Sequence, residues 1–372
     1  MDKTRLHLAW SPDRLPKTFR AGVSLHSHTL HSKESLDFID GAARHCGLLR
    51  VLLRRGDARH RRHYGAALDL RRGWWTPPLA PLDAHRLEAA QIEALGLAPM
   101  VSLTDHDDIE APMSLQAVDG ELRVPVSVEW TVPWQGTFFH LGVHNLPQQR
   151  ARGIMRELAA FTVRPNPKEL RALLGWLHDM PGTLLVFNHP LWDEKGVGRD
   201  RHDAACHELL KQGKGYLHAI ELNGLRPRQE NEAARALAEA HQLPAISGGD
   251  RHGIEPNANL NVTSATTFGE FADEIRQGCS NVLVMPQYRR SHRLRLVQNM
   301  VDILQPFEGH ELGWREWPDR VFYESPDGTV RCMRSWWQEG TPLPIRIFEQ
   351  GVRLVGMAGT CGGFISQALT AR

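Results

Sequence analysis

The chain has 372 residues and is poor in the features that mark secreted, disulfide-bonded and membrane proteins. Its five cysteines stand at positions 46, 206, 279, 332 and 361, and no C-x-x-C pair occurs. An odd number of scattered thiols is typical of a reduced, intracellular protein and argues against a cysteine-based zinc site. The first residues contain no apolar signal-peptide core, and the longest uncharged stretch, 354–370, is too short and glycine-rich to cross a membrane. We therefore expect a cytoplasmic protein that makes no membrane contact.

An excess of charge of one sign is also absent, because 44 Lys and Arg balance 43 Asp and Glu. The whole surface is therefore not expected to attract nucleic acid, and nothing in the sequence fixes an oligomeric state. Basic residues do concentrate locally, since eight arginines lie between Arg50 and Arg72. This segment is a candidate contact for the phosphates of nucleic acid, with Arg54 and Arg55 as candidate substrate-binding residues. The alternative is a solvated helix and loop or an oligomer contact.

Seven short apolar runs predict β-strands, and most are followed by a helical pattern; they are 21–25, 98–103, 124–128, 137–143, 183–187, 217–222 and 244–246. Helix starts are marked by Asn166 before Pro167 and by a capping box from Thr267 to Glu270. The alternation predicts an α/β fold with mostly parallel strands, which fits a TIM-like β/α barrel; an open sheet is the alternative. We divide the chain into an N-terminal segment (1–20), a barrel domain (21–285) with a basic insertion (47–81), and a C-terminal extension (286–372).

Histidine is abundant, with 20 residues against 4 tyrosines, and the predicted strands end in His, Asp or Glu. The motifs are Leu25-His-Ser-His28, Thr104-Asp-His-Asp107, Val128-Glu129, His140, Asn188-His-Pro190, Ile220-Glu221 and Gly249-Asp-Arg-His252. In a β/α barrel the carboxyl ends of the strands share one face. Strand residues i and i+2 point to the same side, so the two histidines of the first motif can reach one ion. Imidazole and carboxylate ligands without thiolates suit Zn, Mn or Fe.

These motifs, in this order over roughly residues 20–285, resemble those of the polymerase and histidinol phosphatase (PHP) superfamily of metal-dependent phosphoesterases. The resemblance implies a distorted seven-stranded β/α barrel that holds two or three divalent metal ions at its open face. The ligand sets that it implies are His26, His28, Glu129 and Asp250 for one ion, Glu129, His140 and His189 for a second, and His106, His252 and a residue after the first motif for a third.

The third ligand set departs from the family pattern. Many members have an Asp in a Ser-Asp-Gly turn after the first motif, and this chain has Lys33 at the position of that Asp. A protonated lysine is only a donor and cannot bind a metal ion. His31 and Glu34 are the alternative ligands, and in a further alternative Lys33 itself fills the third-metal space as a fixed cation. Glu221 is either a ligand or a hydrogen-bond partner of one.

The resemblance implies hydrolysis of a phosphate mono- or diester, with a nucleotide, an oligonucleotide or a small organic phosphate as substrate. Two cations about 3.5–4 Å apart lower the pKa of a bridging water, so the expected nucleophile is a metal-bridging hydroxide. Lys33 and Arg251 are candidate cations for the phosphate charge, and Asp105 is a candidate catalytic or orienting carboxylate. Trp130 and Trp192 follow candidate ligands in sequence and are candidate walls of the substrate pocket.

Two other functions fit many of the same residues. An amidohydrolase-type barrel also begins with His-x-His and ends with an Asp, although that class commonly uses a lysine or its carbamate as a bridge and lacks the Thr-Asp-His pattern. The non-enzymatic alternative is a PHP scaffold that keeps its metal and binds nucleic acid or a protein partner without turnover.

Overall fold

The computed structural model describes residues 3–10, 15–45, 47–118, 122–337, 340–351 and 353–354. Cys46, Cys361 and most of the uncharged stretch 354–370 lie outside the described residues. The strands are β1 (Thr4–Leu8), β2 (Ala21–Ser27), β3 (Glu34–Ser35), β4 (Gly73–Trp75), β5 (Ala98–Leu103), β6 (Val126–Trp134), β7 (Thr137–Leu146), β8 (Leu184–Phe187), β9 (Ala219–Asn223), β10 (Ala245–Gly248), β11 (Asn259–Thr263), β12 (Ser280–Val284), β13 (Val321–Glu324) and β14 (Val330–Cys332).

The helices alternate with these strands along much of the chain, which confirms a mixed α/β fold. They are α1 (Phe38–His45), α2 (Gly47–Tyr64), α3 (Pro81–Glu93), α4 (Glu110–Val118), α5 (Gln148–Val163), α6 (Pro167–His178), α7 (Arg199–Gln212), α8 (Arg228–Ala240), α9 (Phe268–Arg276) and α10 (His292–Leu304). Both predicted helix starts are confirmed, because the Asn166 side chain accepts from the Lys168 amide and Thr267 and Glu270 form a reciprocal capping box. No helix in the described part of the chain is long and apolar enough to cross a membrane.

All seven predicted strands are present, as β2 and β5–β10. The expectation of mostly parallel pairing is wrong, because β7 pairs antiparallel with both β6 and β8, and β11 pairs antiparallel with both β12 and β2. The reversal between β6 and β7 comes from a two-residue loop, Gln135-Gly136, in which both residues have positive φ, at 46° and 83°. Such a loop matches the twist of an antiparallel hairpin and leaves no room for a crossover helix.

The strands form two five-stranded sheets, in the orders β1-β12-β11-β2-β5 and β10-β9-β8-β7-β6. The sheets meet at two isolated parallel bridges, one between Ser27 and Arg251 and one between His106 and Glu129. A continuous ladder that would close them into one barrel does not occur within the described ranges, so the closed seven-stranded barrel stays a prediction. Both bridges include or adjoin the strand-end motifs, which places those motifs where the two sheets come together.

The basic insertion and the C-terminal extension meet in a third sheet, which we call the accessory sheet (β14-β13-β4-β3). In it β4 pairs with β13, with Trp75 opposite Val321, and also with β3, with Trp75 opposite Glu34. Within it β13 and β14 pair antiparallel as a hairpin. The accessory sheet therefore carries Glu34, a candidate metal ligand, on β3, which β4 and β13 from distant parts of the chain hold in place. At the other end, β1 of the N-terminal segment pairs with β12.

Candidate metal centre

The strand-end histidines and carboxylates come together in a buried cluster where the two main sheets meet. Four overlapping groups bring one ligand atom from each member to within 4.8 Å of one another: His26, His28 and Glu129; His26, His189 and Asp250; His106, Glu129 and His140; and His28, Glu34, His106 and His252. Glu129 belongs to two groups and is fully buried. The structure thus brings together all eight principal candidate ligands, together with Glu34; their role as ligands stays a prediction.

The backbone is strained at three of these residues. His26, His189 and Asp250 have φ values of 62°, 23° and 56°, in a region that residues other than glycine rarely adopt. Each such conformation costs roughly 1–3 kcal/mol and persists only where the surrounding structure enforces it. Here the bend turns the chain at a strand end so that the side chain enters the cluster. Strain of this kind concentrates at functional sites, and three cases within one cluster fit that pattern.

The strongest indication that the cluster fits a metal ion comes from ligand atoms that face one another at close range without forming hydrogen bonds. Five buried atoms of the cluster have no hydrogen-bond partner in the described part of the chain: Nε2 of His26, Nε2 of His28, Nδ1 of His106, Nδ1 of His140 and Oε2 of Glu129. Buried polar groups are normally paired, and each unpaired one costs about 1–3 kcal/mol. The Glu129 Oε2 atom lies 3.0 Å from His26 Nε2 and 3.3 Å from His28 Nε2. Imidazole nitrogen and carboxylate oxygen are the donor set that Zn, Mn and Fe accept.

The opposite nitrogens of these rings are held by neighbouring side chains. Glu221 Oε1 lies 2.5 Å from His26 Nδ1, and Glu221 Oε2 accepts from the His189 amide at 2.7 Å. Ser32 Oγ lies 3.1 Å from His28 Nδ1. Such contacts set the tautomer and the direction of a ligating imidazole. Glu221 is in none of the four groups, so its place favours the role of hydrogen-bond partner over that of ligand.

Glu34, rather than Lys33 or His31, points into the third group. Its Oε2 lies 3.3 Å from His106 Nε2 and its Oε1 lies 3.2 Å from His252 Nε2. Burial alone would raise the pKa of Glu34, but the facing His106 and His252 hold it well below the usual range. Lys33 is exposed on the opposite side, with its ammonium 5.3 Å from the centre of the Trp74 ring. The expectation that Lys33 fills the metal space is therefore wrong, because neighbouring extended residues point in opposite directions.

This geometry predicts different effects for the two neighbours. Glu34→Gln is expected to lower the metal bound at saturation by about one ion per chain, because it removes the carboxylate of the third group. Lys33→Met is expected to leave the metal content unchanged. Inductively coupled plasma mass spectrometry on both reconstituted variants measures this, and a loss of metal in Lys33→Met alone would contradict the assignment.

Arg251 does not face the cluster and is not available as a substrate cation. Its side chain is 2% exposed and Nε donates to Glu88 Oε1 on α3 at 2.9 Å. The two remaining nitrogens donate to the carbonyls of Gly253 and His28 at 2.8 and 3.0 Å. Because β10 ends at Gly248, these contacts, rather than strand alternation, direct Arg251 away from its neighbours Asp250 and His252. The structure therefore gives Arg251 a positioning role, in which it ties the last ligand motif to the first.

Two further predicted residues also lie outside the cluster. Asp105 is buried and accepts from the backbone amide and the hydroxyl of Thr29, at 2.5 and 2.7 Å, so it fixes the chain after the first motif. Burial raises the pKa of Asp105 to about 7, although the bonds from Thr29 oppose the rise. Trp130 is fully buried in the hydrophobic core, where its indole donates to Thr162. It cannot wall the pocket, because on β6 it faces away from Glu129.

The remaining candidates lie at the rim or far from it. Trp192 is half-buried, with its ring 5.2 Å from that of His189 and the Arg226 guanidinium 4.8 Å from its centre. Arg54 and Arg55 are exposed on α2 and belong to no ligand group of the described chain.

Sequence reasoning missed several residues that contact the cluster. The Asn188 amide donates to Glu129 Oε1 at 2.9 Å, and the Asn223 amide donates to Asp250 Oδ2 at 3.2 Å. Both residues directly follow predicted strands, and this position is the feature of the sequence that marks them as neighbours of the site. Glu194 Oε2 lies 3.8 Å from His140 Nδ1. Glu194 lies in an irregular loop, where no periodic pattern could mark it.

Removal of metal should destabilise the protein, because the buried ligand atoms would lose the ion that they bind. We expect a chelator to lower the thermal unfolding midpoint and Zn²⁺ or Mn²⁺ to restore it. At a free-metal concentration 100 times the dissociation constant, one bound ion adds about 2.7 kcal/mol to the free energy of unfolding. Calcium, which prefers many oxygen ligands, is the control and should not restore it. Differential scanning calorimetry tests this, and equal midpoints with and without transition metal would contradict a metal centre.

Comparison with known proteins leaves the family open. No protein-family model and no curated protein matches the chain. Three solved structures resemble it in part. PsfC from Pseudomonas syringae has 14% identity and a TM-score of 0.43, over 76% of this chain and 98% of its own. An inferred metal-dependent phosphoesterase from Bifidobacterium adolescentis has 15% identity and a TM-score of 0.33, over 55% and 92%. An amidohydrolase from Chromobacterium violaceum has 17% identity and a TM-score of 0.34, over 62% and 88%. At TM-scores below 0.5 these likenesses carry no argument about function.

Proposed function

We propose that this chain is a metal-dependent hydrolase and that its substrate is a phosphate mono- or diester. The observation that carries the first part is the buried cluster of imidazoles and carboxylates, in which five ligand atoms lie close together without forming hydrogen bonds. A fold does not need such atoms for its own stability, since each one is a cost unless an ion satisfies it. The second part rests on the order and identity of the strand-end motifs, which resemble those of the PHP superfamily.

The residues of the four groups would hold two divalent ions, and a third where Glu34 completes its group. When bound, such ions supply a hydroxide nucleophile near neutral pH and neutralise charge on the phosphate oxygens. Zn, Mn and Fe all suit the donor set. Glu129 would be shared between ions, because its two oxygens face different histidines: Oε2 faces His26, and Oε1 faces His189 at 3.1 Å.

The chain's own residues hold this arrangement in place and exclude water from it. Glu221 and Asn188 fix the orientation of His26 and Glu129 through their hydrogen bonds. All cluster side chains except those of Glu34, His106 and His252 are less than 9% exposed, so charges within the cluster act with little screening. Within the described chain, the ion-pair partners of the cluster carboxylates Glu34, Glu129 and Asp250 are histidines, and none of them is a lysine. The bridging lysine that is common in amidohydrolase-type barrels thus has no counterpart among these contacts, which favours the phosphoester over the amide.

The test is a substrate comparison on metal-reconstituted protein. We expect p-nitrophenyl phosphate or bis(p-nitrophenyl) phosphate to be hydrolysed, with activity lost in chelator and regained with Zn²⁺ or Mn²⁺. Turnover of p-nitroacetanilide instead of both phosphoesters would support an amide hydrolase. Bound metal without turnover of any ester or amide would support a scaffold that binds a partner. Nucleic acid as that partner, through the exposed arginines of α2, stays a prediction.

A further inference from the structure

Three half-buried aromatic rings stand at the edge of the cluster, each against a different candidate ligand. We call Trp75, Phe138 and Trp192 the aromatic rim. The Trp75 ring centre lies 5.7 Å from that of His252, the Phe138 ring 5.3 Å from His140, and the Trp192 ring 5.2 Å from His189. The rings come from the accessory sheet, from β7 and from the loop after β8. The rim therefore borders the cluster at several points with flat apolar surfaces.

Trp75 is the rim residue that lies on the accessory sheet, and its ring makes few contacts with other rings. Its one ring contact within the described residues is the tilted one with His252, at 43°. Its neighbour Trp74 points to the other face of β4, where it stacks on Phe322 at 21° and lies beneath the Lys33 ammonium. Trp192 is likewise engaged on one side by Arg226. Trp75 is thus a partly exposed ring, beside Glu34 and His252, whose face is not covered by another ring.

The position of Trp75 relates directly to a substrate held at the cluster. Register places Trp75 opposite Glu34 on the paired strands, so the two side chains share one face of the accessory sheet. The phosphate of an ester bound at the buried cluster would point its organic group outward, past the rim. A tryptophan face binds flat rings by stacking, and alanine substitution of such residues costs about tenfold or more in affinity per ring. A short, saturated organic group gains much less from the same surface.

We propose that Trp75, with Phe138 and Trp192, selects phosphoesters whose organic group carries a flat aromatic or heteroaromatic ring. This proposal rests on the proposed function for the placement of the phosphate. It assigns to the insertion a role in specificity that is separate from its basic residues. Both nucleotides and simple aryl phosphates share the chemistry that the rim would recognise.

Binding of phosphonates, which have no ester bond to hydrolyse, tests the proposal without turnover. Isothermal titration calorimetry on the metal-loaded protein would compare phenylphosphonate with ethylphosphonate, which carry the same charge. We expect phenylphosphonate to bind at least about tenfold more tightly, and Trp75→Ala to remove most of this preference. Trp75→Phe should retain it, because phenylalanine still offers an aromatic face. A nucleoside 5′-phosphonate is titrated in the same way. If it binds more tightly than phenylphosphonate, the rim recognises nucleotides; if phenylphosphonate binds more tightly, the rim recognises simple aryl phosphates.

Trp74→Ala is the matched control, since it removes the adjacent indole from the opposite face of the same strand. It should leave the ring preference unchanged. Equal binding of the two small phosphonates, no binding of either, or an equal loss for both in Trp75→Ala would overturn the proposal. A clear ring preference in a protein that hydrolyses no phosphoester would instead refute the proposed function and leave the rim standing. Hydrolysis of phosphoesters without a ring preference would refute the rim alone.

Discussion

Glu129→Gln is expected to reduce phosphoester hydrolysis by on the order of 10³-fold, which is the largest effect of any single substitution considered. Glu129 is the one carboxylate that belongs to two of the ligand groups, and His26, His106 and His140 all face it. Burial disfavours its charge, but these imidazoles hold the pKa of Glu129 well below its usual range. Glutamine keeps the shape but loses the charge, and its NH₂ group is only a donor and so cannot bind an ion in place of the lost carboxylate oxygen.

The measurement is kcat on reconstituted protein, together with the metal content of each variant. Glu110→Gln is the control, because it makes the same chemical change in an exposed ion pair with Arg152, whose two side chains are 44% and 62% exposed. It should keep wild-type activity and metal content. Near-ultraviolet circular dichroism of Glu129→Gln should match the wild type, so that lost activity is not lost folding. Activity above about a tenth of wild type in Glu129→Gln would exclude the proposed role.

Glu88→Gln is expected to lower the free energy of unfolding by about 3–5 kcal/mol, because it leaves the buried charge of Arg251 without its partner. Both side chains of this pair are at most 2% exposed. Glu88 also accepts from Ser24 on β2 at 2.9 Å and from the Asn257 amide at 3.2 Å, so it joins α3 to both ligand-bearing segments. Urea unfolding in the presence of chelator measures the effect apart from any change in metal binding.

Glu232→Gln provides the matched control for the buried pair. Glu232 pairs with Arg228 on the surface of α8, where the side chains are 60% and 84% exposed. Exposed pairs of this spacing contribute only about 0.3–0.5 kcal/mol. The double variant Glu88→Leu with Arg251→Met should recover part of the loss, since apolar residues leave no unpaired charge. If Glu88→Gln unfolds at the same urea concentration as the wild type, the pair does not stabilise this junction.

Much of the candidate site was predictable because strand ends and side-chain alternation are local properties. The spacing predicts that His26 and His28 share a side, and the same holds for Asp250 and His252. Both pairs do lie in the cluster, although the left-handed backbone at His26 and Asp250, rather than an extended strand, places them there. Apolar runs of three to seven residues with ligand-type residues at or near their ends sufficed to place the principal candidates in one region. The turn at Gln135-Gly136 also carries a local signal for an antiparallel hairpin, because glycine readily adopts the positive φ that such a loop requires.

Other features depended on contacts between residues far apart in the chain. The accessory sheet needs β13 to pair with β4, and no local pattern in either segment specifies that partner. The same pairing holds β3, and so decides that Glu34 enters the cluster while Lys33 lies over Trp74. The direction of Arg251 was settled by a carboxylate on α3, and that of Trp130 by the core beneath β6.

The sequence by itself determined which chemical groups the site contains, because residue type and strand periodicity are written along the chain. It specified histidine and carboxylate ligands, a lack of thiolates and an alternation of strands and helices. Only the tertiary structure decided which side chains point into the cluster and which are engaged in ion pairs or core packing. It also decided which rings form the aromatic rim. These outcomes follow from long-range packing, in which each side chain takes the direction that its distant neighbours leave open.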